Sequence, residues 1–259
     1  MRVAFTGMAS WSADAVIEAP ILAAPGWMST VWRPLPGAAA DDPDVCEIAF
    51  DAAAFRSDAF DDYCLACPPT IARSVPQRQA EFFFGRLAAR EALSALGLPA
   101  TDIPIGTWRE PLWPAGVIGS VTHAAGISAA VAMPRGARLG IGIDVERVID
   151  DTLRPALLAG PIDAQELDLL LGLNGERLTL NALLTLVFSA KESLYKAAFG
   201  TVGRFFDHRA ARLVSLDFAA GQLLLEIREP LCPKLMPGTQ CQLRHCFLEP
   251  NTVFTSFVW

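Results

Sequence analysis

The chain of 259 residues lacks any run of roughly 18 apolar residues, the length needed to span a bilayer. It also lacks the clean apolar core of a secretory leader, because Asp14 and Glu18 interrupt the stretch from Met1 to Pro20. The expectation is a cytoplasmic protein with no membrane partner. No low-complexity tract and no internal repeat is visible, which excludes solenoids and fibrous arrays. Positive charge is scarce as well: 21 basic residues face 28 acidic ones, for a net charge of −7. Residues 1–72 carry that whole excess, with three arginines against ten acids that concentrate between Asp41 and Asp62. A nucleic-acid partner is not expected from such a balance. The neutral remainder leaves room for a local cationic pocket.

Of the six cysteines, only Cys64 and Cys67 form a CxxC pair, and no second pair stands at zinc-binding spacing. Cys241, His245 and Cys246 are close in sequence but read as strand residues. Reduced, partly buried thiols are expected.

What is present suffices for a substantial core, since 52% of the residues are hydrophobic. Residues 1–72 read as short strands and loops. A helical pattern runs from Gln77 to Leu96 and ends at Gly97 and Pro99. Strands are expected at Ile127–Met133 and Leu139–Glu146, and helices at Ile162–Leu171 and Leu180–Phe199. A closing set of strands is expected at Leu213–Phe218, Leu223–Ile227, Gln240–Leu248 and Val253–Val258. The fold class is α+β, with helices and antiparallel strands mixed. A boundary near Arg138 gives two halves, 1–138 and 139–259.

Four segments carry chemistry. In Gly140 to Glu146, strand alternation places Gly140, Gly142, Asp144 and Glu146 on one face, where two carboxylates can offer oxygens to one hard cation. The glycines beside them are expected to leave room for a bulky ligand. In Phe188 to Ala197, helical periodicity sets Glu192 within the stripe of Leu184, Phe188, Tyr195 and Phe199, so an inward carboxylate needs a cationic partner. Lys196 follows one turn later, although a Glu–Lys surface pair fits this spacing equally.

In the helix from Arg78 to Arg90, Arg86 and Arg90 are one turn apart with no acid at helical spacing, and a phosphate would relieve their repulsion. Two solvated arginines, with Arg78 paired to Glu81, are the plainer reading. In Gly116 to Gly126, Ser120, Thr122 and His123 sit in a small-residue segment ahead of a strand and could hydrogen-bond phosphate oxygens. A structural histidine is the alternative. Arg109 stands just upstream on a proline-stiffened loop.

Together these segments resemble the 4′-phosphopantetheinyl transferase superfamily, in its enterobactin synthase component D-like branch. RQAEFFFGRLAAREAL, REPLWP, GSVTHAAG, GIGIDVE and FSAKESLYKA occur in the family's order between Arg78 and Phe199. The resemblance implies two similar pseudo-two-fold halves, each a small antiparallel sheet packed with helices. Coenzyme A would bind in the cleft between them. It implies Asp144, Glu146 and Glu192 as Mg²⁺ ligands and Lys196 on a coenzyme A phosphate. His123 with Ser120 and Thr122 would contact the 3′-phosphate or pyrophosphate, while Arg78, Arg86 and Arg109 hold the nucleotide end. Phe188 departs from the family's usual tryptophan.

The activity implied is transfer of phosphopantetheine from coenzyme A to a serine of an apo acyl, peptidyl or aryl carrier protein. The enzyme would act as a monomer serving siderophore, peptide, polyketide or fatty-acid synthesis. Asp144, Glu192 and Lys196 would be catalytic, with Glu192 the candidate base. The acidic N-terminal segment should repel, not dock, an acidic carrier. A Mg²⁺-dependent phosphohydrolase of coenzyme A or a nucleotide, and a non-catalytic coenzyme A-binding subunit, are the competing readings.

Overall fold

The computed structural model describes residues 26, 28–38, 42–124, 126–175, 178–249 and 251–259. The segment Met1 to Pro20, expected to carry no leader, lies outside them. The chain divides after Arg138 into two compact units, and both are antiparallel sheets packed with helices.

The first unit holds β1 (Met28–Pro34) and β2 (Asp44–Phe50), two single-turn helices, α1 (Ala59–Asp62) and α2 (Pro69–Ala72), and the long α3 (Pro76–Ala95). β3 (Val117–Ala124) and β4 (Ile127–Pro134) complete a four-stranded sheet of order β1-β2-β4-β3. α3 begins where Pro76 occupies the first turn, a position that needs no N–H donor. It stops before Gly97, whose φ of +71° suits glycine. Phe83, Phe84, Leu87 and Ala88 are fully buried. Phe84 stacks on Phe50 of β2 at 4.1 Å between ring centroids, and Phe83 meets Phe60 edge-on at 5.3 Å. The segment expected to lie before a strand is itself the strand β3, paired along its length with β4.

The second unit comprises β5 (Ile141–Arg147), α4 (Arg154–Ala159), α5 (Ala164–Leu173), α6 (Leu180–Val202), a 3₁₀ turn at His208–Ala210, and the strands β6 (Ala211–Asp217), β7 (Gln222–Ile227), β8 (Gln240–Glu249) and β9 (Thr252–Val258). The strand order is β5-β9-β8-β7-β6, so β5 is an edge strand. α6 starts at Thr179, whose hydroxyl caps Ala182 N–H, and ends at Gly203 in the left-handed conformation. It is buried on most of its circumference, as a helix at the centre of a unit must be. Among the described residues, no helix is long and apolar enough to cross a membrane.

Gly140, just before β5, and Gly142, within it, do not open space for a ligand. A Cβ on Gly140 would lie 1.8 Å from Ala197 O, and one on Gly142 would lie 1.9 Å from Ser193 O. Both are needed so that the backbones of β5 and α6 can approach. That approach brings Glu192 and Lys196 of the helix to the carboxylates of the strand.

Candidate functional site

In the first unit, a cavity of about 670 Å³ is lined by Arg78, Arg86, Arg109 and His123 among others. Arg78 and Arg86 come from α3, two turns apart and therefore on nearby faces. Arg109 comes from the Pro-flanked loop, where Ile105 bridges Pro111 and Arg109 itself adopts φ +70°. Such a conformation costs a non-glycine residue of order 1 kcal/mol or more. The loop is closed by Glu110, whose carboxylate accepts from Trp108 N–H and fills the space that a Cβ on Gly106 would need.

Arg78 Nη1 donates to His123 Nε2 at 2.7 Å and to Glu81 Oε2 at 3.3 Å. Guanidinium can only donate, so His123 accepts at Nε2 and carries its proton on Nδ1, which lies 3.6 Å from Glu81. The expected Arg78–Glu81 pair is thus real, but it is one side of a triangle that orients His123. Arg86 stands apart from it. Its guanidinium lies 4.8 Å from the Phe82 ring centroid, and its buried Nε has no hydrogen-bond partner. Burial, and secondarily the charge of Arg78, lower its pKa to about 10, with Asp102 acting in the opposite sense. A buried cation with an unused donor at a cavity wall is suited to an anion.

Two expectations for this region are corrected. Arg90 does not share an anion with Arg86, because it donates to Tyr63 C=O at 2.6 Å and so ties the loop before α2 to α3. Ser120 and Thr122 do not stand with His123. Alternation along β3 places them on the opposite face, both buried, while Val121 and His123 line the cavity.

In the second unit, Asp144 and Glu146 project from β5 toward α6. Lys196 Nζ donates to Asp144 Oδ1 at 2.5 Å and to Ile143 C=O at 3.2 Å. Burial raises the Asp144 pKa; Lys196 and a Ser189 hydrogen bond lower it, and Glu192 raises it further. Glu146 is pushed up to about 8, first by burial, then by the charge of Asp144, with Lys196 opposing and Glu192 adding a little. Glu192 is held below the usual range. Burial would raise it, but the His208 hydrogen bond, Lys196 and the His208 charge prevail. An ionised carboxylate only accepts, so His208 Nε2 donates to Glu192 Oε1, at 2.5 Å.

The three acids therefore lie close enough to perturb one another, with Lys196 set against Asp144 and His208 against Glu192. That donor chemistry fits a hard divalent cation. Among the described residues, no three His, Cys, Asp or Glu side chains form a ready-made metal cage. Mg²⁺ characteristically does without one, taking one or two carboxylates, waters and substrate phosphates.

His208 was not foreseen. It lies outside the motif segments, sixteen residues beyond Glu192, and no periodicity connects the two. Only the turn after Gly203 returns it to α6, where its ring lies 5.4 Å from Phe188, the residue that departs from the family's tryptophan. Cys241 and Cys246 are buried free thiols on β8, where His245 and Cys246, as neighbours, face opposite ways.

Residues 68–133 match the 4′-phosphopantetheinyl transferase N-terminal domain, and residues 140–236 match the 4′-phosphopantetheinyl transferase superfamily. Among curated relatives, the chain is 39% identical over 121 residues to enterobactin synthase component D of Salmonella typhi, covering 47% of this chain and 48% of the relative. It is 38% identical over 152 residues to the 4′-phosphopantetheinyl transferase PptT of Mycobacterium tuberculosis, covering 56% and 62%. It is 36% identical over 160 residues to the 4′-phosphopantetheinyl transferase Svp of Streptomyces mobaraensis, covering 62% and 63%. The aligned stretches thus span between about half and just under two thirds of those relatives.

Proposed function

The chain belongs to the 4′-phosphopantetheinyl transferase superfamily, and on that premise we propose that it moves the phosphopantetheine arm of coenzyme A onto a serine of an apo carrier protein. The observation that carries this reading is the set of Asp144, Glu146, Glu192 and Lys196 between β5 and α6. The reading extends to Mg²⁺ as cofactor, a monomeric enzyme, and neither nucleic acid nor membrane as partner. The six cysteines are free thiols, as a reducing cytoplasm keeps them, and we place the reaction there.

Arg78, Arg86, Arg109 and His123 would hold the phosphates of the nucleotide end in the first unit's cavity. Ser120 and Thr122 could assist only through their backbone, given their buried side chains. Asp144, Glu146 and Glu192 would hold Mg²⁺, which when bound would neutralise the pyrophosphate and polarise the attacked phosphorus. The carrier serine Oγ forms a new P–O bond, the phosphoanhydride P–O bond breaks, and 3′,5′-ADP leaves with the electron pair. Lys196, paired with Asp144, would move its donors to the charge that develops on the departing phosphate. Glu192, held ionised by His208, would accept the serine proton.

The test is incubation of the protein with coenzyme A, Mg²⁺ and an apo carrier, followed by intact-mass spectrometry. A mass gain of one phosphopantetheine on the carrier serine is expected. 3′,5′-ADP released without carrier would instead indicate the phosphohydrolase. No product under either condition would indicate a non-catalytic binding subunit.

A further inference from the structure

We propose that His208 is a positioning residue, which fixes the Glu192 carboxylate so that one defined oxygen is presented to the divalent cation. The inference rests on the assignment of Glu192 to the cation site.

The contact is short and directional: His208 Nε2 lies 2.5 Å from Glu192 Oε1, with the two side chains 28% and 26% exposed. It engages one carboxylate oxygen and leaves Oε2 as the one that can turn to a cation. A glutamate has three rotatable side-chain bonds, so without such a tether its head group would sample many positions.

His208 is itself held from several directions. Asp207 caps the 3₁₀ turn by accepting from Arg209 N–H at 2.8 Å. The Arg209 guanidinium donates to Ala159 C=O at 2.7 Å and Gly160 C=O at 3.0 Å, pinning the turn to the end of α4. Phe188, one helical turn before Glu192, packs against the imidazole. β6 begins at Ala211, directly after the turn, and locks its far end into the sheet.

The tether does not depend on the charge of His208, because both the neutral Nε2–H tautomer and the imidazolium donate from this nitrogen. A hydrogen bond that orients a ligating side chain typically changes metal affinity 10- to 100-fold when removed. Through this contact a residue outside the resembling motifs becomes part of the site.

The test is Mn²⁺ binding to the full chain in the presence of saturating coenzyme A, whose phosphates complete such a site, read from the free Mn²⁺ signal in electron paramagnetic resonance against a coenzyme A blank. His208→Ala is expected to weaken binding about 10- to 100-fold. His208→Gln, whose amide nitrogen reaches the Nε2 position, is expected to stay within about threefold of the parent, whereas His208→Asn, too short to reach, should behave like alanine. Thermal melts identify any variant that fails to fold, and the Gln and Asn pair then decides. Equal Mn²⁺ affinity in the parent and the Ala or Asn variant overturns the inference while leaving the carboxylate site standing. Gln binding as weakly as Asn also overturns it. Absence of Mn²⁺ binding by the parent would overturn the cation site itself, and the inference with it.

Discussion

Lys191 and Glu166 form an ion pair sealed inside the second unit: Nζ lies 2.7 Å from Oε1, and both side chains are 1% exposed. Glu166 spends its remaining capacity on Leu213 N–H of β6 and Asp163 N–H at the start of α5. Lys191 also donates to Pro161 C=O at 2.6 Å. One cluster thus fastens α6 to α5, to the loop before it and to β6. Lys191 and Glu192 are adjacent in sequence but divide the labour, since the first holds the helix in place and the second faces the chemistry. Lys191→Ala should destabilise the protein by about 3–5 kcal/mol, because it leaves a carboxylate buried without its cation. Replacing both partners with apolar residues of similar size should cost far less. Urea unfolding of the single and double variants checks both expectations.

The contrast between these neighbours shows what the sequence could and could not reveal. The long helices and most strands were legible because their signals are local: apolar spacing, with Gly97 and Pro99 closing the first long helix. The carboxylates of β5 were legible because period-two alternation assigns faces without tertiary information. Lys191 was not, since α6 is buried nearly all round and periodicity no longer separates inside from outside. The role of Gly140 and Gly142 was misjudged for a related reason. A missing Cβ signals that something approaches closely, and only the packed structure tells a helix backbone from a ligand. His208 required the turn after α6, which no repeat announces.

Gly142→Ala should therefore harm the site by moving elements, not by blocking a ligand. The new methyl would sit 1.9 Å from Ser193 O and 2.7 Å from Ala197 N, both backbone atoms that cannot swing aside. Overpacking of this kind costs about 1–3 kcal/mol, and it separates α6 from β5. The melting temperature should drop, and transferase activity measured well below that temperature should fall further than the folded fraction explains.

Asp144→Asn should abolish transfer at saturating Mg²⁺ and leave the fold intact. The amide keeps the shape of the buried side chain while removing the charge that pairs with Lys196 and would bind the cation. Carrier modification by mass spectrometry, beside a circular dichroism melt, separates the two effects. Full activity in this variant would remove Asp144 from the site.

Arg86 and Arg90 stand one turn apart on α3 and should respond oppositely. Arg86→Ala should weaken 3′,5′-ADP binding by about 10- to 100-fold, the range of a charge-assisted hydrogen bond, with little change in stability. Arg90→Ala should lose its bond to Tyr63 C=O and lower stability by about 1 kcal/mol or more, leaving nucleotide affinity unchanged. Calorimetry and urea melts on both variants test the pairing of roles.

His245 predicts how the protein responds to acid. It is 3% exposed on β8, with the Phe218 ring at 6.2 Å. Burial, the dominant cause, depresses its pKa from 6.5 to about 4, against the upward pull of a backbone hydrogen bond at Asp217 and of the Asp217 charge. A histidine whose folded pKa lies below its unfolded value binds its proton more readily when unfolded. Its contribution to stability is therefore present above about pH 6.5 and is lost as pH falls from there toward 4. His245→Phe, which keeps a ring in the buried site without a titrating group, should flatten the decline in urea midpoint across that window. Proton uptake on unfolding at pH 5, measured with a pH indicator, should be smaller by up to one proton in the variant. An unchanged slope would mean that another group governs acid lability here.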